Sequence, residues 1–207
     1  MFNGKAKHIP GLTGLVACGG NSSRMGRDKS MLIYQHKPEV YRLYELLEEF
    51  CENVMISCNA NQAAGIENSY NCLPDLDFYA NSGPISGLLS AFTYVPGNNI
   101  LLIGCDYPFL DSECLLGFSA FIQHENKPAA FFNEKEQLFE PLLAFYPFHE
   151  FNGLKERYHT NQFSLQHYLK SANARKYIPA NEKCIVSVDT YSDYIKTKMY
   201  FETNTAT

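Results

Sequence analysis

Two glycines, an arginine and a lysine follow the first apolar run, in the order Leu15-Val16-Ala17-Cys18-Gly19-Gly20-Asn21-Ser22-Ser23-Arg24-Met25-Gly26-Arg27-Asp28-Lys29. Gly19 and Gly20 lack a Cβ, so the backbone there can turn through positive φ and approach a ligand closely, while Arg24 and Lys29 supply charge that matches phosphate oxygens. A tight turn with solvated charges is the other reading of the same residues. The spacing is neither a Walker A loop nor a dinucleotide fingerprint, because Lys29 is followed by Ser30 and the apolar Met31-Leu32-Ile33 and no third glycine opens a helix. Asp28 reads as a turn residue. A second chemical feature is Asp106, which ends the run Ile100-Leu101-Leu102-Ile103-Gly104-Cys105. A hard carboxylate suits Mg²⁺, which takes one or two carboxylates and completes its shell with phosphate oxygens and water. The alternative for Asp106 is a cap on the turn before Pro108.

These residues need elements to hold them, and short β-rich runs alternate with amphipathic helical patterns in the manner of βαβ units around a mainly parallel sheet. Strands are expected over residues 12–18, 53–58, 70–73 and 99–106, with helices over 38–51 and 85–94. Pro38 suits the first turn of its helix. Further strands, antiparallel, are expected at 129–133 and 138–146, then helices at 148–159 and 164–171, and short strands near 176–178 and 184–188. Asn59 and Asp75 then follow the second and third strands, as the glycine turn follows the first and Asp106 the fourth; open α/β sheets bind ligands at such strand ends. Gly83-Pro84-Ile85-Ser86-Gly87 opens a helix whose free N–H groups could meet a ribose or base, although a plain turn and helix start accounts for it as well.

The whole chain sets bounds. Its 207 residues fit one domain with a sizeable core, with a nucleotide-binding part at 12–110, an acceptor-side part at 111–197 and a polar tail at 198–207 expected to fray. A net charge of -5 without a lysine-arginine stripe argues against nucleic acid as a partner, so phosphate binding should be local. The seven cysteines are scattered, lie mostly in apolar runs and form no C-x-x-C pair, which reads as buried free thiols in a reducing compartment. No secretory h-region and no membrane-spanning apolar run is present, so a cytoplasmic protein without a membrane partner is expected. The six histidines lie far apart without metal-ligand spacing, and no nucleophile elbow or zinc pattern competes.

The turn from Cys18 to Lys29 resembles the Gly-Gly-x-x-x-Arg-Met-Gly-x-Asp-Lys signature of molybdenum cofactor guanylyltransferases. The resemblance continues in order through Val54-Met55-Ile56-Ser57-Cys58-Asn59, Leu73-Pro74-Asp75, Gly83-Pro84-Ile85-Ser86-Gly87, Cys105-Asp106-Tyr107-Pro108 and Glu140-Pro141-Leu142-Leu143-Ala144-Phe145-Tyr146. It implies a three-layer α/β/α, Rossmann-like nucleotidyltransferase fold. It implies further that Ala17, Cys18, Gly19 and Gly20 line a nucleotide by backbone, that Arg24 and Lys29 contact phosphates, that Asn59, Asp75 and Gly83 lie on the guanosine side, and that Asp106 binds Mg²⁺. In the implied reaction the terminal phosphate of molybdopterin attacks the α-phosphorus of GTP and pyrophosphate leaves, a transfer that needs positioning and charge neutralisation more than a covalent nucleophile. GTP and molybdopterin are then the substrates, and a cofactor-delivery protein or molybdoenzyme chaperone is the expected partner.

The chain departs from the family pattern at two places. Ala17-Cys18 stands where Leu-Ala is usual, and Ser187-Val188-Asp189-Thr190-Tyr191 stands where the family has Asn-x-Asn-Thr-Pro, a segment associated with its pterin side. Two alternatives stay open: a relative using CTP or another NTP with a different phosphorylated acceptor, and a non-catalytic nucleotide-binding protein of the same fold.

Overall fold

The structure is a computed structural model and describes residues 8–18, 28–124 and 126–204. The turn residues Gly19, Gly20 and Arg24 lie outside the described residues. Strand β1 (Ile9–Ala17) leads to the pairing of Ile33 with Pro38 and then to helix α1 (Glu39–Glu48), β2 (Cys51–Cys58), the short α2 (Ala60–Ala63), β3 (Cys72–Pro74), α3 (Pro84–Tyr94) and β4 (Asn99–Gly104). Then come α4 (Ser112–Ile122), β5 (Ala129–Asn133), β6 (Leu138–Tyr146), α5 (Phe151–His159), α6 (Leu165–Ser171), β7 (Arg175–Tyr177) and α7 (Tyr191–Asn204).

The strands form one sheet in the order β3-β2-β1-β4-β6-β5-β7. β1 pairs in parallel with β2 and β4, β2 with β3, and β5 with β7, while β6 runs antiparallel to both β4 and β5. Helices cover both faces, so the central strands are apolar without alternation. On one face Leu43 and Leu47 of α1 and Phe118 of α4 meet Leu12, Val16, Leu101 and Ile103. On the other, Leu88 and Phe92 of α3, Leu154 of α5 and Leu169 of α6 meet Leu15, Ile100, Leu102 and Ala144. This is the expected mixed, mainly parallel three-layer α/β/α arrangement, and the C-terminal ends of β1, β2 and β4 lie side by side.

Several sequence expectations need correction. Pro38 is the N-cap of α1 rather than a first-turn residue, and β3 begins two residues later than expected. The segment 184–188 is no strand: Glu182–Ile185 is a 3₁₀ turn, because Cys184 points into the core and is bonded to Cys114. That bond also corrects the reading of all cysteines as free thiols, which holds for Cys18, Cys51, Cys58, Cys72 and Cys105. The tail is helical through Asn204 because Tyr200 and Phe201 pack on Phe109. Helix α4 was not expected at all; Asp111 caps it by accepting a hydrogen bond from Cys114 N (2.8 Å).

Candidate functional site

Asp106 leaves the end of β4 in a position that only a glycine behind it permits. A Cβ on Gly104 would come within 2.5 Å of Asp106 Oδ1 and 3.0 Å of the Leu142 side chain, so the carboxylate is seated back over its own strand. Asp106 Oδ1 is buried and has no hydrogen-bond partner. Burial raises the Asp106 pKa to about 6, with the Lys29 ammonium pulling it down and the Asp189 carboxylate pushing it up. A buried acceptor oxygen left unpaired is costly, and a hard cation satisfies it where a hydrophobic neighbour cannot. The residue thus fits Mg²⁺ on its own geometry.

Lys29 opens the 3₁₀ turn Lys29–Met31, which Asp28 caps: Asp28 Oδ1 accepts from Ser30 N (3.0 Å) and Ser30 Oγ (2.7 Å). Asp28 Oδ2 accepts from Gln62 Nε2 (2.9 Å), which also donates to Cys18 O (3.2 Å). Asp28 is therefore a structural pin that fixes the start of the turn to the end of β1 through α2. The Lys29 side chain is about four-fifths buried and its Nζ donates to Asp189 Oδ1 at 2.8 Å. Val188 N donates to Asp106 O (2.8 Å), which brings the C-terminal segment over the end of β4. Lys29, Asp106 and Asp189 thus come together from three distant parts of the chain.

The strand-end residues form the other side of the site. Ala17 O accepts from Cys105 N (3.1 Å) and Cys18 N donates to Ser57 O (3.0 Å), which locks the ends of β1, β2 and β4 together. Cys105 shares a hydrogen bond with Cys18, and this and burial push its thiol pKa upward. Asn59 follows β2 and its Oδ1 accepts from Gln62 N (3.0 Å), capping α2. Asp75 follows β3, accepts from Ser57 Oγ (3.3 Å), and is raised above the usual carboxylate range by burial. Gly83 is the N-cap of α3 at φ +75°, and Gly87 lies so close that a Cβ there would overlap Ser57 Oγ and touch Asp75 Oδ1 at 3.5 Å. Asn59, Asp75 and the start of α3 are therefore neighbours across β2 and β3.

Of the residues the sequence singles out, Lys29 and Asp106 come together, and two of their neighbours carry no sequence signal. Asp189 was assigned to the acceptor side and is found on Lys29; Glu140, quoted only within a motif, accepts from Tyr107 Oη (2.8 Å) directly beside Asp106. Burial raises the Glu140 carboxyl as well. Glu140 and Ser187 also line a cavity of about 450 Å³ with Glu134, Lys135, Glu182 and Lys183. Asp111, Cys114 and Cys184 come together elsewhere, but the bond between the two sulfurs leaves no thiolate to hold a metal.

The sequence of the MobA-like NTP transferase domain matches residues 14–173. The chain belongs to this family. Within the MobA-like transferases, the bifunctional molybdenum cofactor biosynthesis protein of Synechocystis sp. is 36% identical over 138 residues, which are 65% of this chain and 39% of that protein. The molybdenum cofactor guanylyltransferase of Pseudomonas putida is 25% identical over 161 residues, 76% of this chain and 82% of the relative. The chain thus spans less than half of the first and most of the second. Among solved structures, molybdopterin-guanine dinucleotide biosynthesis protein A of Archaeoglobus fulgidus shares the fold at a TM-score of 0.74 and 17% identity, over 92% of this chain and 99% of that one. A CMP:2-keto-3-deoxy-manno-octonic acid synthetase complexed with CTP shares it at 0.68 and 10% identity, over 93% of this chain and 98% of that one. Among the described residues no helix of this MobA-like chain is long and apolar enough to cross a membrane.

Proposed function

We propose that this protein transfers GMP from GTP to the terminal phosphate of molybdopterin, forming molybdopterin guanine dinucleotide and releasing pyrophosphate. The observation that carries the proposal is the buried, unpaired Asp106 Oδ1 at the end of β4, on a carboxyl that feels the Lys29 ammonium. Support comes from relatives named molybdenum cofactor guanylyltransferases that match most of their own length. Magnesium held by Asp106 would neutralise charge on the triphosphate and on the attacked α-phosphorus. Lys29, freed from Asp189, would contact the phosphates with Arg24, and Gly19 and Gly20 would let the backbone approach them. Asn59, Asp75 and the N-terminus of α3 at Gly83 would hold the guanosine beside Ala17 and Cys18. The attacking phosphate oxygen bonds to the α-phosphorus as the bond to the bridging oxygen breaks, so no covalent enzyme intermediate is needed.

Purified protein incubated with Mg²⁺, molybdopterin and each NTP in turn tests the reading by mass spectrometry. The expected product carries GMP. Conversion with CTP and not GTP overturns the base assignment, and no conversion with any NTP overturns the transferase reading.

A further inference from the structure

The free cysteines are not alike. Cys18, Cys51, Cys58 and Cys105 are buried, and Cys72 alone is partly exposed. Cys72 lies on β3, the strand at the end of the sheet, and Cys58 ends β2 beside it. Ile56 stands opposite Cys72 and Cys58 opposite Pro74, so both thiols share one face of the sheet, and Cys58 Sγ meets Cys72 Sγ at 2.6 Å. A bond between them needs only a small side-chain adjustment. β3 is three residues long and, among the described residues, pairs with β2 alone. Pro74 offers no N–H to the ladder, which is flanked by Ile56 N to Asn71 O (2.8 Å) and Asp75 N to Cys58 O (3.1 Å). So short an edge strand opens readily.

We propose that Cys58 and Cys72 are an oxidisable dithiol, which a peroxide closes to a disulfide that staples β3 to β2. The partly exposed Cys72 sulfur attacks one peroxide oxygen, and the O–O bond breaks to leave a sulfenic acid and one water. Burial and the hydrogen bond to Cys72 push the Cys58 thiol pKa upward, so Cys58 keeps its proton until then. Cys58 Sγ next attacks the Cys72 sulfur, the S–OH bond breaks, and the Cys58 proton leaves with the hydroxide as a second water. Two electrons and two thiol protons have then passed to the peroxide, and a reducing dithiol reverses the change. Cys18 and Cys105 also share a hydrogen bond, but both are buried and out of the oxidant's reach. Asn59 directly follows Cys58, and Asp75 lies three residues beyond Cys72. Redox state thus sets how freely the ends of β2 and β3 part. The chemistry needs no nucleotide and no metal, so it stands apart from the proposed transfer.

The test treats the full chain with stoichiometric hydrogen peroxide and stops the reaction with catalase. Thiols are counted in denaturant, and bonds are located by peptide mass mapping. Two of the five free thiols are expected to disappear, joined as Cys58 to Cys72 with the mass of two hydrogens lost, and that bond should open again with dithiothreitol. Hydrogen exchange at Asp75 N, whose acceptor is Cys58 O, is expected to slow about tenfold in the oxidised protein. The melting temperature should rise with it. In Cys72→Ser, peroxide should change neither the remaining thiols nor the exchange at Asp75. Should that variant fail to fold, Cys58→Ala repeats the test, with the Cys72 sulfenic acid expected to be trapped by dimedone. Five surviving thiols in the wild type, a bond joining any other pair, or equal exchange at Asp75 in the oxidised and reduced protein overturns the inference.

Discussion

The buried Asp106 carboxyl costs stability, and pH exposes the cost. Its carboxyl is raised from 3.8 to about 6, so the folded protein holds this proton more tightly than the unfolded chain does. Below about pH 4 both states are protonated and the full stability is present. As pH rises from about 4 through 6 the unfolded chain ionises first, and up to about 3 kcal/mol is lost. Asp106→Asn is therefore expected to match the wild type in urea midpoint near pH 4 and to exceed it at pH 8 in metal-free buffer, while losing turnover. An equal gain at both pH values counts against the ionisation account. Asp106 and Lys29 stand out in the sequence because one is a carboxylate that ends an apolar run and the other a cation that closes the glycine turn. Asp189 does not, because its contact with Lys29 spans 160 residues and no local pattern encodes it.

At the scale of elements, the sequence revealed what periodicity encodes. β1, β4, β5, β6 and α3 are legible because their apolar runs are bounded by glycine, proline or asparagine. Helix α4 escaped notice because its residues are apolar nearly all round: Leu115, Phe118 and Ile122 face the core, yet Leu116 is exposed and blurs the stripe. Helix α1 shows how an element outside the site positions it. Glu39 in its first turn is buried and raised by burial, opposed by the Arg42 guanidinium one turn on. Arg42 donates through Nε to Glu39 Oε2 (2.9 Å), through Nη2 to Oε1 (2.5 Å), and through Nη1 to Leu110 O (2.8 Å), so α1 holds the loop that follows Asp106. Arg42→Ala leaves a carboxylate buried without its partner and is expected to cost about 3–5 kcal/mol. Adding Glu39→Gln should recover part of that loss in a denaturation series; no recovery shifts the effect to the Leu110 contact. In α3, Gly87→Ala drives a methyl into Ser57 Oγ beside Asp75 and is expected to weaken GTP binding with about 1–3 kcal/mol of stability lost. Ser57→Ala in the same chain should restore part of both, read by calorimetry and thermal melts.

Over the whole molecule, the C-terminal fifth of the chain closes the site that the N-terminal half opens. The rings of Phe109 and Phe201 stack at 5.1 Å, and Tyr34 meets Tyr194 edge-on at 5.3 Å, with Tyr194 Oη donating to Ile33 O (3.3 Å). α7 thus grips both the loop after Asp106 and the hairpin after Lys29, which is why a polar-looking tail is ordered. The Cys114–Cys184 bond anchors the same C-terminal region to α4 and spans 70 residues of sequence. Closing a loop of that length limits the unfolded chain by about 4 kcal/mol in the entropy model. Two measurements follow from it. In denaturant, five thiols should react before reduction and seven after, since the chain has seven cysteines and five are free. Reduction, or Cys184→Ser, should lower the melting temperature, and because Asp189 lies five residues beyond Cys184 it should also loosen the segment that meets Lys29. Hydrogen exchange at Val188 N, whose acceptor is Asp106 O, reads that loosening directly. Seven reactive thiols in the unreduced protein, or unchanged exchange at Val188 after reduction, would separate the C-terminal segment from the bond and leave its position to α7 alone.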